Sequence, residues 1–287
     1  MILVTGATGQ TGRALVDLLS RGGTPVRALV RDASKAAALP KHNVQAVVGD
    51  LGIPSSLPEV LEGVTAAYLN TAAHPAQVEW HGHFIDAARR AGVRHIVRHS
   101  VRGAEPTSAV KICRWHAQSE CELEASGIAW THLRPVYNMN NLLKLTGSIV
   151  GQGAFFAPMK DAQLAMVDAR DVAAVAAAAL GGGAHEGRQY LVTGPEAIGF
   201  AEAAAALAAV LARPVRYVDV SPGQAREGML RLGMPAWYVD DLIGFYDFYS
   251  SGAGAVVSDV VPRLTGRSGH AFAAFARHHR SRFQPSG

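Results

Sequence analysis

The chain opens Met1-Ile2-Leu3-Val4-Thr5-Gly6-Ala7-Thr8-Gly9-Gln10-Thr11-Gly12, and these twelve residues decide the reading of the fold. Met1 to Val4 is an apolar run of the kind that forms a buried strand. Gly6, Gly9 and Gly12 follow at Gly-x-x-Gly-x-x-Gly spacing, and Arg13-Ala14-Leu15-Val16-Asp17-Leu18-Leu19 then sets apolar residues at helical intervals. Strand, glycine turn and helix in that order is the context in which such a motif binds a dinucleotide. The glycines let the backbone turn tightly and approach a pyrophosphate, and the helix N-terminus offers N–H groups that lack intrahelical partners. Gly6, Ala7, Thr8, Gly9, Gln10, Thr11 and Gly12 are therefore the expected phosphate-binding residues.

Outward from this turn, strand-like runs at 2–5, 26–30, 44–48, 66–70, 95–98 and 129–133 alternate with helical patterns at 11–21, 34–39, 55–61, 77–91 and 110–126. The alternation predicts an α/β protein of Rossmann type, a doubly wound parallel sheet with helices on both faces and right-handed crossovers. After Arg134-Pro135 the rhythm changes. Residues 138–161 read as irregular, 165–167 and 189–192 as two more core strands, and 170–180 as a helix between them. Residues 200–249 read as helix, strand (215–220), helix, helix, and 270–282 as a closing helix. The expected division is an NAD(P)-binding core over 1–135, completed by about 164–194, and a smaller substrate lobe from 136–163 and 195–287.

With 287 residues, 49% hydrophobic and 17% charged, the chain has the composition of a compact globule. The net charge is +4, but no dense Lys/Arg run is interleaved with aromatics, so no nucleic-acid partner is expected. Part of the excess lies in Arg277-His278-His279-Arg280-Ser281-Arg282. Residues 172–180 are alanine-rich but too short to span a bilayer, so no membrane partner is expected either. The first residues read as a core strand and leave no room for a signal peptide, which points to the cytoplasm. Cys113 and Cys121 fall eight residues apart in one predicted helix. That spacing puts their Cα atoms about 12 Å apart, too far for a disulfide. No His, Cys or carboxylate set recurs at ligand spacing, so no metal is expected, and His74, His81 and His83 read as solvated or lid residues. A monomer or a homodimer is consistent with all of this.

The second strand ends in Arg31-Asp32. An arginine there pairs with the 2′-phosphate of NADP, whereas a carboxylate binds the ribose hydroxyl of NAD. Arg31 comes first, so NADPH is the favoured cofactor, with NAD as the alternative; Asp32 is either a ribose acceptor or, preferably, the cap of the helix near Ser34. Asp50-Leu51 and Asn70-Thr71 stand at the ends of the third and fourth strands, where adenine and ribose contacts belong, with a helix cap as the alternative for Asp50.

Thr5-Gly6-Ala7-Thr8-Gly9-x-x-Gly12, Leu29-Val30-Arg31-Asp32, Gly49-Asp50-Leu51 and Ser126-Gly127-Ile128-x-Trp130-Thr131-x-Leu133-Arg134-Pro135 together resemble the NmrA-like family of atypical short-chain dehydrogenase/reductases. Leu264-Thr265-Gly266-Arg267 with the Phe-x-x-Phe helix after it resembles the bacterial quinone and azo-dye reductase branch. The resemblance covers nearly the whole chain and implies an NAD(P)H-dependent fold. In typical relatives of the wider group a serine precedes a Tyr-x-x-x-Lys helix, in which the tyrosine is the acid. Ser100 stands where that serine belongs, but Ile112 and His116 stand where the tyrosine and lysine would be. The usual acid is therefore missing. His116 is the leading replacement, as a donor or only as an anchor for the nicotinamide ribose. Ser100 is a substrate oxygen ligand or a strand-end cap. His99 alternates with it and is expected on the opposite face. The resemblance places Pro135, Val136, Tyr137 and Asn138 along the nicotinamide, with the Tyr137 hydroxyl a donor to substrate or its ring a packing group.

Trp237-Tyr238 and Phe245-Tyr246-x-Phe248-Tyr249 concentrate aromatics in the expected lobe, and Phe155-Phe156 adds two more. Phe155, Phe156, Trp237 and Phe245 are expected to wall a planar aromatic or quinone-like substrate, or else to form a lobe core or dimer contact. Asp240-Asp241 reads as a solvated helix edge. The function expected is NADPH-dependent reduction of a quinone-like or aromatic conjugated carbonyl compound by hydride transfer. The alternatives are a non-catalytic NADP(H) redox sensor and a tailoring enzyme, reductase or rearrangement catalyst, of an aromatic natural product.

Overall fold

A computed structural model describes residues 1–40 and 42–284; residues 285–287, which the sequence assigns to the lobe, lie outside the described residues. The first half alternates as expected: β1 (Ile2–Val4), α1 (Gln10–Arg21), β2 (Val26–Val30), β3 (Val44–Val48), α2 (Leu57–Leu61), β4 (Ala66–Leu69), α3 (Gln77–Arg90), β5 (His95–His99), α4 (Lys111–Ala125) and β6 (Ala129–Pro135). Then follow α5 (Thr146–Gln152), β7 (Ala154–Ala157), α6 (Ala169–Leu180), β8 (Arg188–Val192), α7 (Phe200–Leu211), β9 (Arg216–Asp219), α8 (Pro222–Arg231), α9 (Ala236–Phe248), α10 (Val260–Thr265) and α11 (Phe272–His278).

Seven of these strands form one sheet in the order β3-β2-β1-β4-β5-β6-β8, and every pairing is parallel. This is the Rossmann-type α/β fold. The chain leaves β1 in one direction to β2 and β3 and returns on the other side to β4, so the crevice for a ligand opens at the carboxyl ends of β1 and β4.

Strand side chains alternate between two cores. Val4, Val26, Ala28, Val30, Tyr68, Val97 and Leu133 pack with α1 and α6 residues such as Leu15, Val16, Val172 and Val175. Leu3, Leu29, Ala67, Leu69 and Ile96 pack with α2, α3 and α4 through Leu57, Phe84, Ile85 and Leu123. Burying each such large aliphatic or aromatic side chain contributes about 1.5–3 kcal/mol. Arg98 and Ser100 continue the alternation of Ile96 and so face the α3 and α4 side, while His99 faces Tyr68 on the other.

A third core joins α5, β7, α7, β9 and α11 through Ile149, Phe155, Phe200, Leu207, Val215, Phe272 and Phe275. Here the structure corrects several expectations. Residues 165–167 are not a sheet strand: β8 takes the place beside β6, and this segment makes only a bridge from Val167 to Asn138. The span read as irregular holds a 3-10 turn (Met139–Leu145), α5 and β7, and β7 pairs with β9 in a separate two-stranded parallel sheet. Residues 34–39 form a 3-10 helix (Ala33–Ala38) rather than an α-helix, and the tail helix gives way to a 3-10 turn at Arg280–Phe283. Short alanine-rich or glycine-punctuated segments carry too weak a period to separate these states.

Candidate functional site

The glycine turn is held by three close approaches. Gly6 adopts φ +59°, and a Cβ on it would come within 2.8 Å of the Asn70 carbonyl. A Cβ on Gly12 would overlap the carbonyl of Gly6, so α1 and the turn can touch only with glycine there. Across the crevice, the Thr5 hydroxyl donates to the Asn70 carbonyl at 2.8 Å and accepts from the Asn70 N–H at 2.7 Å, which locks the ends of β1 and β4 together. Gly9 is the N-cap of α1 and has no side chain to cover the N–H groups of the first turn. These donors and the helix dipole are left for an anion.

A cavity of about 520 Å³ opens over this turn. Thr5, Gly6, Thr8, Gly9, Arg31, Asp50, Leu51, Asn70 and Thr71 line it, together with Ala72, Ala73, His74 and Trp80. Ala7, Thr11 and Gly12 are buried beneath its floor, and Gln10 is exposed at the start of α1. Asp32 accepts a hydrogen bond from the Ser34 N–H at 2.9 Å. That bond holds its carboxyl below the ordinary range and engages it as a cap, and of the two exposed charges at the end of β2 it is Arg31 that lines the cavity. Asp50 turns its carboxylate to the Gly52 N–H at 2.8 Å. A stacked pair, His74 on Trp80 with ring centroids 4.1 Å apart, closes the far side. The glycine cradle, the uncapped helix end and the lone arginine are the features a dinucleotide with a 2′-phosphate needs, so the residues present fit NADP(H).

Deeper along the carboxyl edge of the sheet lies a polar cluster that sequence spacing did not show. Arg98 of β5 is fully enclosed. One nitrogen of its guanidinium lies 3.1 Å from His116 Nδ1 and 3.4 Å from His81 Nδ1. His81 in turn meets the Thr71 hydroxyl at 3.0 Å. His81 is 1% exposed, which corrects its reading as a solvated or lid residue. Burial, and then the Arg98 charge, push the pKa of both His81 and His116 well below the usual imidazole value. Glu120 of α4 is bidentate to Arg134 and 4.0 Å from Arg98. Arg98 Nε and Nη1, the Ser100 hydroxyl and the whole amide of Gln77 are buried without a partner among the described residues. His99 faces away, with Nδ1 2.6 Å from the Tyr68 hydroxyl; burial and Arg98 lower its pKa to about 4.

The other expected residues are spread over the neighbouring lobe. Pro135 ends β6, and Val136, whose N–H donates to the Val192 carbonyl, is buried in the lobe core. Asn138 caps the 3-10 turn by accepting from the Asn140 N–H at 3.0 Å. The Tyr137 ring packs edge-on against Phe200 and Tyr249, with centroids 5.6 and 6.1 Å away. Its hydroxyl has no partner among the described residues. Phe155 is fully buried against Phe200 and Tyr217, so it is lobe core and no substrate reaches it; alternation along β7 leaves Phe156 exposed instead. Trp237 packs on Trp115 of α4 at 5.7 Å, and Phe245 stacks on Tyr249. Asp241 is buried rather than a solvated edge, because it accepts the Lys111 N–H at the start of α4 at 2.9 Å. Cys113 and Cys121 are free thiols. Among the described residues no group of three or more His, Cys, Asp or Glu side chains is arranged to hold a metal, and no helix is long and apolar enough to cross a membrane.

Comparison with known proteins agrees with this architecture. Over 283 residues the chain is 42% identical to the NAD(P)H azoreductase of Xenophilus azovorans, covering 99% of each. It is 37% identical to the (4-alkanoyl-5-oxo-2,5-dihydrofuran-3-yl)methyl phosphate reductase of Streptomyces griseus subsp. griseus, covering 99% of this chain and 100% of that one. The crystal structure of the NADPH-dependent quinone oxidoreductase of Escherichia coli complexed with NADPH superposes with a TM-score of 0.87 at 28% identity, over 97% of this chain and 99% of that one. The model of the NmrA-like family matches residues 1–261, and with the glycine turn, the strand order and these relatives in agreement, the chain belongs to the NmrA-like family.

Proposed function

We propose that this NAD(P)H-dependent oxidoreductase uses NADPH to reduce planar aromatic acceptors, a quinone or an aromatic conjugated carbonyl compound first and an azo compound second. The glycine turn and the N-terminus of α1 hold the diphosphate, Arg31 pairs with the 2′-phosphate, and Asp50, Leu51, Asn70 and Thr71 border the adenosine half. When bound, NADPH supplies the hydride. Pro135, Val136 and Asn138 would then flank the nicotinamide, and the lobe would cover the acceptor, with Trp237 and Phe245 near its mouth.

One observation carries this reading: at the reacting end the chain presents neutral donors and no strong acid. Ile112 stands in place of a tyrosine, while burial and Arg98 hold His116 neutral. Burial likewise raises the pKa of the Tyr137 phenol well above its ordinary value. Ser100, His116 and Tyr137 can therefore hydrogen-bond an acceptor oxygen but cannot protonate it strongly. Quinones suit such a site. The charge of a reduced quinone spreads over its ring, and the proton can come from water. The protein's work is then chiefly to hold the acceptor in place and exclude competing geometry. The azoreductase and quinone oxidoreductase relatives support this choice of acceptor. The test is NADPH oxidation against a panel of quinones, aromatic ketones and azo dyes. Turnover of quinones or azo dyes above that of simple ketones is expected. Tight NADPH and NADP binding with no acceptor reduced would replace this reading with that of a redox sensor.

A further inference from the structure

Arg98 is an unusual residue to enclose. A guanidinium loses strong hydration on burial and keeps its charge, so it is normally met by a carboxylate at hydrogen-bond distance. Here the nearest carboxylate, Glu120, is 4.0 Å away and both of its oxygens are held by Arg134. Two imidazole nitrogens take the donors of Arg98 Nη2, while Nε and Nη1 have no partner among the described residues. Arg98 is thus held at hydrogen-bond distance by imidazoles, with the Glu120 carboxylate only at the outer limit of an ion pair.

The hydrogen-bond chemistry fixes what it does to the imidazoles. Arginine only donates, so the nitrogen facing it must be an acceptor. Nδ1 of His116 and Nδ1 of His81 therefore carry no proton, and in the neutral ring the proton sits on Nε2. His81 Nε2–H then donates to the Thr71 hydroxyl at 3.0 Å, which leaves the hydroxyl hydrogen of Thr71 free to point into the cofactor cavity that Thr71 lines. His116 Nε2–H has no partner among the described residues.

Position along the sheet orders the rest. Helices in a parallel α/β layer run against the strands, so the N-terminal turns of α3 and α4 lie toward the carboxyl ends. Gln77 is one turn before His81, Ile112 one turn before His116, and Ser100 one pleat beyond Arg98. Arg98, His81 and His116 meet as one cluster. Gln77 and Ser100, both buried with unpartnered polar atoms, follow toward the carboxyl ends of the strands.

We propose that Arg98 is the positioning residue of this site: its guanidinium takes up Nδ1 of His116, so the ring presents Nε2–H as a fixed donor to the acceptor atom on which negative charge collects during reduction. This rests on the reductase reading above. The acceptor gains two electrons and one hydrogen as hydride from the nicotinamide cofactor, and its second hydrogen arrives as a proton from water. Arg98 and His116 exchange no proton in the step. Preorganised donors and a nearby fixed charge lower the cost of the anion because they need no rearrangement when it forms. Arg98 of β5 and His81 of α3 face His116, and His99 acts on it from the opposite face of the sheet; Glu120 and Glu122 of α4 and Arg134 of β6 act on it through Arg98.

The experiment reads the proton directly. Nitrogen NMR of ¹⁵N-imidazole-labelled protein, with and without NADP⁺, should show His116 and His81 neutral and protonated on Nε2 at neutral pH. In Arg98→Met, His116 should become a tautomer mixture and its pKa should move upward, because the Arg98 charge is removed while the burial remains. With a quinone as acceptor, kcat of Arg98→Met should fall about tenfold to a hundredfold, in the range of losing an indirect electrostatic support. Its pH profile should shift in the same direction. Adding Arg98→Met to His116→Gln should cost little more, because the two act as one unit. A proton on Nδ1 of His116 in the unaltered protein, or a folded Arg98→Met with unchanged tautomer, kcat and pH profile, would overturn the proposal. If Arg98→Met does not fold, the tautomer in the unaltered protein decides alone. Failure of every acceptor would sink the reductase reading and leave the tautomer result standing, so the two failures are distinguishable.

Discussion

Gly9 and Gly12 look equivalent in the motif, yet their surroundings separate them. A Cβ on Gly9 meets only the Gly6 carbonyl at 3.2 Å, whereas one on Gly12 collides with the backbone of the turn. Gly9→Val should therefore stay folded and lose NADPH binding, read by fluorescence titration, because its methyls fill the space of the diphosphate. Gly12→Ala should also lose stability, by about 1–3 kcal/mol as for other overpacked sites, seen in urea unfolding. Unchanged NADPH affinity in Gly9→Val would remove the phosphate assignment. Arg31 is the second residue with a decisive neighbour. Since Asp32 is occupied by Ser34, Arg31→Ala should raise the Kd for NADPH about tenfold to a hundredfold, the worth of a charged hydrogen bond, and leave NADH nearly unaffected. Equal losses for both cofactors would contradict the preference for NADP.

Between elements, the contact that matters most is that of α9 with α4. Asp241 reaches across to the Lys111 N–H and so caps, from another helix, the element that carries His116. Asp241→Ala should destabilise the protein by about 1 kcal/mol, the usual worth of an N-cap, and loosen the first turn of α4. Equilibrium unfolding with hydrogen exchange at residues 111–114 measures both effects, and unchanged exchange there would exclude the cap. From sequence, Asp240 and Asp241 are indistinguishable exposed carboxylates. In the structure Asp240 pairs with Arg226 at the surface and Asp241 is buried. The period of a helix assigns a face only when its apolar stripe is continuous, and α9 is apolar over most of its circumference, so the pattern gave no inward side.

On the scale of the whole molecule, acid should unfold this protein through its buried imidazoles. Burial, with Arg98 next, lowers the pKa of His99 to about 4 and of His132 to about 3. Unfolded, each binds a proton near pH 6.5, so the unfolded chain gains protons that the native one refuses. The full stability is present above that pH and is lost as pH falls toward the native values, by about 1 kcal/mol per pH unit for each ring. The Tm should drop steadily from pH 7 to pH 5, and a flat Tm would refute it. The tail is tied to the core in a similarly discrete way. Asp171 of α6, fully buried, accepts from Arg267 at 2.8 Å and from the His270 N–H at 2.6 Å. Asp171→Ala should free the segment around α11, exposing it to limited proteolysis before the sheet unfolds. As to origins, the amino-acid order alone determined the parallel sheet, the glycine turn and the Arg31 and Asp32 pair, because strand period, glycine spacing and residue type are local properties. Only the tertiary structure decided that Arg98 meets His116 and His81, that Phe155 is core, and that β7 pairs with β9. Those contacts join residues from distant elements, and which side chains meet is set by how the helices pack on the sheet, a quantity no local window of sequence contains.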